Sequence, residues 1–109
     1  MNWIELNDIH QLDDIRTLSY SKPQVIFKPS TRCSISVVAK SRLERVSPPE
    51  HTDFYFLDLI RYRSISNKIE TDFAVPHESP QVLLIINGEC VYEESHGGIR
   101  MEDVAAQIV

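Results

Sequence analysis

The sequence has few cysteines, no metal-ligand cluster and no long apolar segment. Its two cysteines, Cys33 and Cys90, do not form a C-x-x-C pair or a disulfide framework, which fits a reducing compartment. No group of Cys and His residues has the spacing of a metal site, so we expect no metal. The longest apolar run, Val82 to Ile86, is five residues long and too short to cross a membrane.

Positive charge is also scarce. Eleven Lys and Arg residues stand against 16 acids, which gives a net charge of −5, and no basic run concentrates the positive charge. This balance opposes nonspecific binding to nucleic acid or to anionic membranes. The first residues, Met1 to Asp8, carry acids where a secretory signal needs a positive region, so we expect a cytoplasmic protein. Length and composition predict one globular domain over residues 1–109.

Hydrophobic periodicity predicts alternating strands and helices. Gln24 to Phe27 is apolar on both faces, which is typical of a central parallel strand, and Asn87-Gly88 is a strong hairpin signal. The expected strands are Trp3–Leu6, Gln24–Phe27, Phe54–Leu59 and the hairpin strands Gln81–Ile86 and Cys90–Glu94. The first two expected helices are one capped by Asn7 or Asp8, with Ile9, Leu12, Ile15 and Leu18 on one face, and one to about Val46, with Ile35, Val38, Ala39, Leu43 and Val46 on one face. A third helix is expected through Ile65, Ile69 and Phe73 before the hairpin, and a closing helix with Met101, Val104, Ala105 and Ile108 after it. This order predicts an α/β fold with a mixed four- to five-stranded sheet and helices on both faces.

The segment from Lys28 to Ser36 joins a buried strand to a helix, and we expect Cys33 in the first helical turn. Backbone N–H groups there lack intrahelical partners and the helix dipole is positive, so a thiolate is favoured over a thiol. Arg32 adds a cation, and the Ser36 hydroxyl can donate a hydrogen bond to the sulfur. A free cysteine is also typical of a packed core, so these residues leave both interpretations open.

Three segments resemble the monothiol bacilliredoxin family, the thioredoxin-like proteins of the bacillithiol system. They are Phe27-Lys28-x-Ser30-Thr31-Arg32-Cys33-x-Ile35-Ser36, His77-Glu78-Ser79-Pro80-Gln81-Val82 and Ile86-Asn87-Gly88-Glu89. The resemblance implies a thioredoxin-like fold of order βαβαβαββα in a bacterial protein. It also implies that Cys33 is the attacking residue and that Ser79-Pro80 is a cis peptide beside it. Two positions depart from the family pattern, since Ser34 replaces a proline and Pro29 a histidine.

The resemblance implies a monothiol thiol–disulfide oxidoreductase that removes bacillithiol from bacillithiolated client proteins. Bacillithiol would be a co-substrate, and we expect neither a bound cofactor nor a nucleic-acid or membrane partner. Ser36 stands where a dithiol enzyme has its second cysteine, so an external thiol must complete the reaction. We expect Thr31, Arg32, Ser34, Ser79 and Pro80 to contact the substrate and the protein to be a monomer.

Two further side chains are expected near the site. Lys28, together with Arg32, would be a neighbour of anionic groups on the small thiol. His77 either lines the substrate groove or is an ordinary solvated histidine.

Cys90 is expected to be a packing residue, because the predicted topology puts it roughly 15–20 Å from Cys33, beyond disulfide reach. An intermolecular role for Cys90 is the alternative. Two other functions remain open for the chain as a whole. One is a thioredoxin-like binding module whose cysteine is inert, and the other is a glutaredoxin-like enzyme that uses another small thiol.

Overall fold

The computed structural model describes residues 2–29 and 34–108. Among these residues, five strands form one sheet in the order β1-β3-β2-β4-β5. The elements in chain order are β1 Trp3–Glu5, α1 Gln11–Leu18, β2 Gln24–Lys28, α2 Ser34–Arg45, β3 Asp53–Phe56, α3 Arg63–Phe73, β4 Gln81–Ile86, β5 Glu89–Ser95 and α4 Met101–Ala106, with a 3₁₀ turn at His96–Gly98 before α4.

The sheet is mixed, as predicted. Strand β3 is parallel to both β1 and β2, whereas β4 is antiparallel to β2 and to β5. The segment predicted as a central parallel strand is indeed the middle strand of the sheet, with one parallel and one antiparallel neighbour. Asn87 and Gly88 have φ values of 53° and 80°, the left-handed geometry that a two-residue hairpin turn requires. The predicted hairpin is therefore confirmed.

Alternating side chains of β2 enter two separate hydrophobic layers. Ile26 packs with residues of α1 and α3, including Ile15 and Ile69. Val25 and Phe27 point to the other face and pack with residues of α2 and α4. Helices therefore cover both faces, as the sequence predicted. Because each fully buried side chain of this size contributes about 1.5–3 kcal/mol, the two layers fix the register of β2 firmly.

Helix α2 packs through a face that only partly matches the predicted one. Among its described side chains, those of Ser36, Ala39 and Leu43 form a buried stripe, which confirms the prediction for Ala39 and Leu43. Ile35 was also predicted to be buried, and its side chain lies outside the described residues. Val38 and Val46 were predicted to be buried, but 47% and 37% of their surfaces are exposed. Val38 is one position away from the stripe, and Val46 lies beyond the end of the helix. Apolar residues on two sides of this helix made the periodicity ambiguous.

Two predicted boundaries were also wrong. Helix α1 begins at Gln11, because the Gln11 side chain accepts hydrogen bonds from the Asn7 and Asp8 N–H groups and Asp8 accepts one from His10. Strand β3 ends at Phe56 rather than Leu59. Just beyond it, the Asp58 carboxylate accepts the N–H groups of the next turn, a local bond that competes with strand pairing.

Helix α3 buries Ile65, Ile69 and Phe73, as predicted. Helix α4 buries Met101 and Val104 of its predicted stripe. Ala105 is only partly buried, and Ile108 lies beyond the end of the helix, where it still packs against the second layer. Among the described residues, none of the helices has the length and apolar character needed to cross a membrane.

Candidate active site

The candidate site lies at the end of the sheet where β2 stops and β4 starts. Lys28, the last residue of β2, pairs with Gln81, the first residue of β4. The peptide bond between Ser79 and Pro80, directly before Gln81, is cis, as the family resemblance implied. Pro29 follows β2 at this same end and leads in the chain to the cysteine segment, which lies outside the described residues.

Three of the predicted site residues, Thr31, Arg32 and Cys33, lie outside the described residues, and their roles stay predictions. Helix α2 begins at Ser34, the residue that follows Cys33 in the sequence. Ser36 is in the first turn of this helix, and only 3% of its surface is exposed. Ser36 therefore belongs to the buried face of α2, in the first turn of the helix.

Ser79 has a hydroxyl group that is buried without a hydrogen-bond partner among the described residues. A buried, unpaired hydroxyl costs about 1–3 kcal/mol, so native proteins rarely leave one without a reason. Pro80, which follows it, is buried, and its carbonyl oxygen accepts the His96 N–H at 2.9 Å. The cis-proline loop thus offers one unused polar group, whereas the Pro80 carbonyl already has a partner.

Lys28 differs from the sequence-based expectation. We expected its ammonium group to be a neighbour of anionic groups on a small thiol, but the residue is 0% exposed. Its Nζ atom lies 3.1 Å from Nδ1 of His77, which belongs to the loop that leads to the cis-proline. Burial lowers the pKa of Lys28 to about 8, although the charges of Glu70 and Glu78 act to raise it. Lys28 therefore acts inside the protein and does not line an open groove.

His77 was considered either a groove residue or an ordinary solvated histidine. The structure gives it a more specific place, because its ring contacts Lys28 and lies 3.4 Å from the Ser66 hydroxyl. Although the residue as a whole is exposed, partial burial of its ring, followed by the positive charge of Lys28, lowers the pKa of His77. The sequence held one signal for this contact: a lysine at the end of an otherwise apolar strand needs a partner if that strand is central.

Cys90 is at the opposite end of the sheet. It pairs with Ile85, whereas the candidate site begins at Gln81, four residues or about 13 Å along the same strand. Cys90 packs against the hydrophobic layer under α1 and α3, and its Sγ atom donates to the Tyr92 carbonyl at 3.3 Å. Burial raises the pKa of the Cys90 thiol to about 11. The prediction of a packing role is confirmed, since this thiol is half-buried and held protonated.

Within residues 2–29 and 34–108, no three acidic, histidine or cysteine side chains are arranged to hold a metal ion.

Comparison with known proteins identifies both the fold and the family. A candidate oxidoreductase with a thioredoxin fold is 30% identical, with a TM-score of 0.79 over 94% of this chain and 90% of its own. The thioredoxin of Schistosoma mansoni matches 98% of this chain and 93% of its own at a TM-score of 0.75 and 20% identity. Mitochondrial thioredoxin 3 of Saccharomyces cerevisiae matches 97% of this chain and 92% of its own, at a TM-score of 0.69 and 16% identity. The last two establish the fold alone.

The family profile described as monothiol bacilliredoxin BrxC matches residues 4–104, which includes the cysteine segment, the cis-proline loop and the hairpin. The chain is therefore a thioredoxin-like redox protein that belongs to the monothiol bacilliredoxin family.

Proposed function

We propose that this protein removes bacillithiol from mixed disulfides on client proteins, with the Cys33 thiolate as the nucleophile. The observation that carries the proposal is the family match over residues 4–104, in a chain whose cis-proline loop adjoins the strand end that leads to Cys33. Beyond family membership, the proposal names the small thiol, the reacting cysteine and the kind of client.

The start of α2 supports an ionised sulfur at Cys33. The first N–H groups of a helix have no intrahelical acceptor and carry the positive end of the helix dipole. Helix α2 starts one residue after Cys33 in the sequence, and Arg32 adds a positive charge beside it in the chain. A thiol in such surroundings ionises at lower pH, and the thiolate is the form that attacks disulfides.

The reaction exchanges one disulfide for another. The Cys33 thiolate attacks the bacillithiol sulfur of the client's mixed disulfide, a new sulfur–sulfur bond forms, and the client cysteine leaves as a thiolate. Cys33 then carries bacillithiol. A second bacillithiol thiolate attacks the sulfur of this bound molecule, which releases oxidised bacillithiol and restores the Cys33 thiolate. For each client thiol that is released, one free bacillithiol is consumed, and the single disulfide passes from the client to oxidised bacillithiol.

The second thiol must come from outside the chain. Ser36 has the position of a resolving cysteine, and its hydroxyl cannot form a disulfide. Cys90 belongs to the far end of the sheet, too distant to attack a disulfide on Cys33. Its pKa near 11 also keeps it in the unreactive thiol form.

The cis-proline loop is the proposed docking place for the substrate. An extended ligand that lies across Ser79 would meet the backbone before Pro80, and one of its polar groups would pair with the buried Ser79 hydroxyl. We propose Thr31, Arg32 and Ser34 as further contacts, with Arg32 as the partner for anionic groups of the small thiol.

The decisive experiment compares two thiols on one client. A client peptide with a single cysteine is prepared as its bacillithiol and its glutathione mixed disulfide, and the release of each is followed with the matching free thiol in excess. We expect faster release of bacillithiol, no catalysis by Cys33→Ala and full activity of Cys90→Ala, the matched control. Faster release of glutathione would favour a glutaredoxin-like enzyme and contradict the proposal.

A second measurement separates the enzyme from a binding module with an inert cysteine. The rate of alkylation of Cys33 is measured against pH in the Cys90→Ala background. We expect a midpoint clearly below ~8.5, the value of free cysteine. A midpoint at or above that value would contradict catalysis by a stabilised thiolate.

A further inference from the structure

The end of β2 holds a lysine in an unusual environment. Lys28 is fully buried, although an ammonium group has three donors and strongly resists transfer out of water. Such a residue persists only where nearby groups accept its hydrogen bonds and balance its charge. The proposed reaction does not use Lys28, so its retention at this point in the site calls for a separate reason.

The partner of Lys28 belongs to the cis-proline loop. The Nζ atom of Lys28 is 3.1 Å from Nδ1 of His77. Because an ammonium group can only donate, Nδ1 must accept, and the proton of the neutral ring is then on Nε2. The Ser66 hydroxyl, on α3, lies 3.4 Å from the same nitrogen. The contact therefore joins the end of the central strand to the loop and requires a neutral His77.

Further hydrogen bonds hold the backbone of residues 76–78 beside this contact. The His77 N–H donates to the Glu70 carboxylate at 2.9 Å, and the Glu78 N–H donates to the Gln81 side chain at 3.4 Å. The Gln81 amide in turn donates to the Pro76 carbonyl at 3.1 Å. These three residues lead directly to Ser79 and Pro80, so a shift at His77 would move the proposed substrate-binding backbone.

We propose that Lys28 and His77 are positioning residues, whose contact holds residues 76–78 so that Ser79 and Pro80 meet the substrate correctly. This inference rests on the proposed function. It assigns the pair a role in substrate binding, distinct from the ionisation of Cys33.

The charges around the pair make the contact sensitive to pH. Glu70 and Glu78 favour the charged forms of both Lys28 and His77, whereas the positive charges of Lys28 and Arg63 oppose protonation of His77. Protonation of His77 in acid would remove the acceptor and bring two cations together at 3.1 Å. Loss of the Lys28 proton in base would remove its attraction to the two acids. The contact between Lys28 and His77 is therefore strongest at pH values above the titration of His77 and below that of Lys28.

The test uses two replacements of His77 that differ in one property. Asparagine has a carbonyl oxygen near the position of Nδ1 and does not titrate, whereas leucine has no acceptor. We expect His77→Leu and Lys28→Met to raise KM for a bacillithiolated peptide roughly tenfold, the effect of losing one hydrogen bond to a charged group. Lys22→Met, at the other end of the sheet, is the matched control and keeps the wild-type KM.

His77→Asn supplies the readout that a purely structural role would not change. We expect it to keep a near wild-type KM at pH 7 and to lose the rise in KM that the wild type shows in acid. In all these variants the alkylation rate of Cys33 should stay within about twofold of the wild type, because the pair acts on the loop. An unchanged KM in folded His77→Leu, or an acid rise in KM that persists in His77→Asn, would overturn the inference.

An NMR measurement separates this inference from the proposed function. If the wild type releases no bacillithiol, the proposed function fails, and the amide resonance of Ser79 still reports the loop. We expect this resonance to shift in His77→Leu and to titrate with the His77 ring in the wild type, with no such titration in His77→Asn. A Ser79 resonance insensitive to His77 would overturn the inference whatever the activity. Should Lys28→Met fail to fold, the two His77 variants decide alone.

Discussion

Replacing Lys28 with methionine removes an ammonium group from the interior and leaves a side chain of similar length. The wild-type lysine is fully buried, and its pKa is about 8 instead of the ordinary 10.5. The folded protein therefore holds this proton more weakly than the unfolded chain does. Below pH 8 both states are protonated, and the folded state bears the full cost of burying the charge.

The size of the effect follows from the pKa difference. One pKa unit corresponds to about 1.36 kcal/mol, so the lowering of the Lys28 pKa corresponds to about 3 kcal/mol. Between pH 8 and 10.5 the folded protein loses this proton while the unfolded chain keeps it, so rising pH stabilises the wild type. Methionine has no proton to lose. The stability of the wild type relative to Lys28→Met should thus increase by up to about 3 kcal/mol across this range.

Urea unfolding at a series of pH values from 7 to 10.5 measures the effect. The free energy of unfolding is compared between the wild type and Lys28→Met at each pH, so that titrations common to both proteins cancel. Lys22→Met, which removes a half-exposed lysine paired with Asp53, is the control for the general loss of a lysine. A wild-type minus Lys28→Met difference that stays flat or falls with pH would refute the argument that burial penalises the charge.

Three further predictions concern other positions. In Ser36→Cys, the introduced thiol should form a disulfide with Cys33 and release the bacillithiol bound there, which is seen as loss of the mass of bacillithiol from the protein. A bacillithiol adduct that persists on Cys33 would speak against the monothiol assignment. At pH 8, iodoacetamide should label Cys90 in folded Cys33→Ala roughly two hundred times more slowly than it labels a free cysteine. The reason is that a pKa near 11 leaves only about 0.1% of the Cys90 thiol as thiolate at this pH. Rapid labelling would show that the thiol is not buried as described. Gly88→Ala should lower the free energy of unfolding by about 1–2 kcal/mol, since φ at Gly88 is 80°. The added Cβ would also meet the Tyr20 hydroxyl at 2.6 Å, and this exposed side chain can move aside. In urea unfolding Gly97→Ala, where an added Cβ meets nothing within 4 Å, should be near neutral, and equal effects of the two would exclude the backbone explanation.

Local signals in the sequence were sufficient for much of the fold. The apolar run of β4 and the Asn87-Gly88 turn specify the hairpin because their chemistry is complete within a few residues. The buried face of α2 was predicted only in part: Ala39 and Leu43 are buried but Val38 is exposed, since apolar residues on two sides of the helix fit more than one stripe. The start of α1 depended on the Gln11 side chain, whose bonds to Asn7 and Asp8 are not apparent from periodicity.

The site could be predicted only in part. The cis bond before Pro80 followed from the family resemblance, because the local sequence does not distinguish cis from trans. The contact between Lys28 and His77 joins positions 49 residues apart in the sequence, and only the folded sheet brings them together. The roles of Thr31, Arg32 and Cys33 remain predictions, supported by the family match.

The most direct test of the central claim is a single turnover without added thiol. The protein is mixed with an equal amount of a bacillithiolated client peptide, and the products are identified by intact mass and peptide mapping. We predict one bacillithiol on Cys33 and a client with a free thiol, and no transfer to Cys33→Ala. Transfer to Cys90, or release from the client at the same rate with Cys33→Ala, would contradict the assignment of Cys33 as the nucleophile.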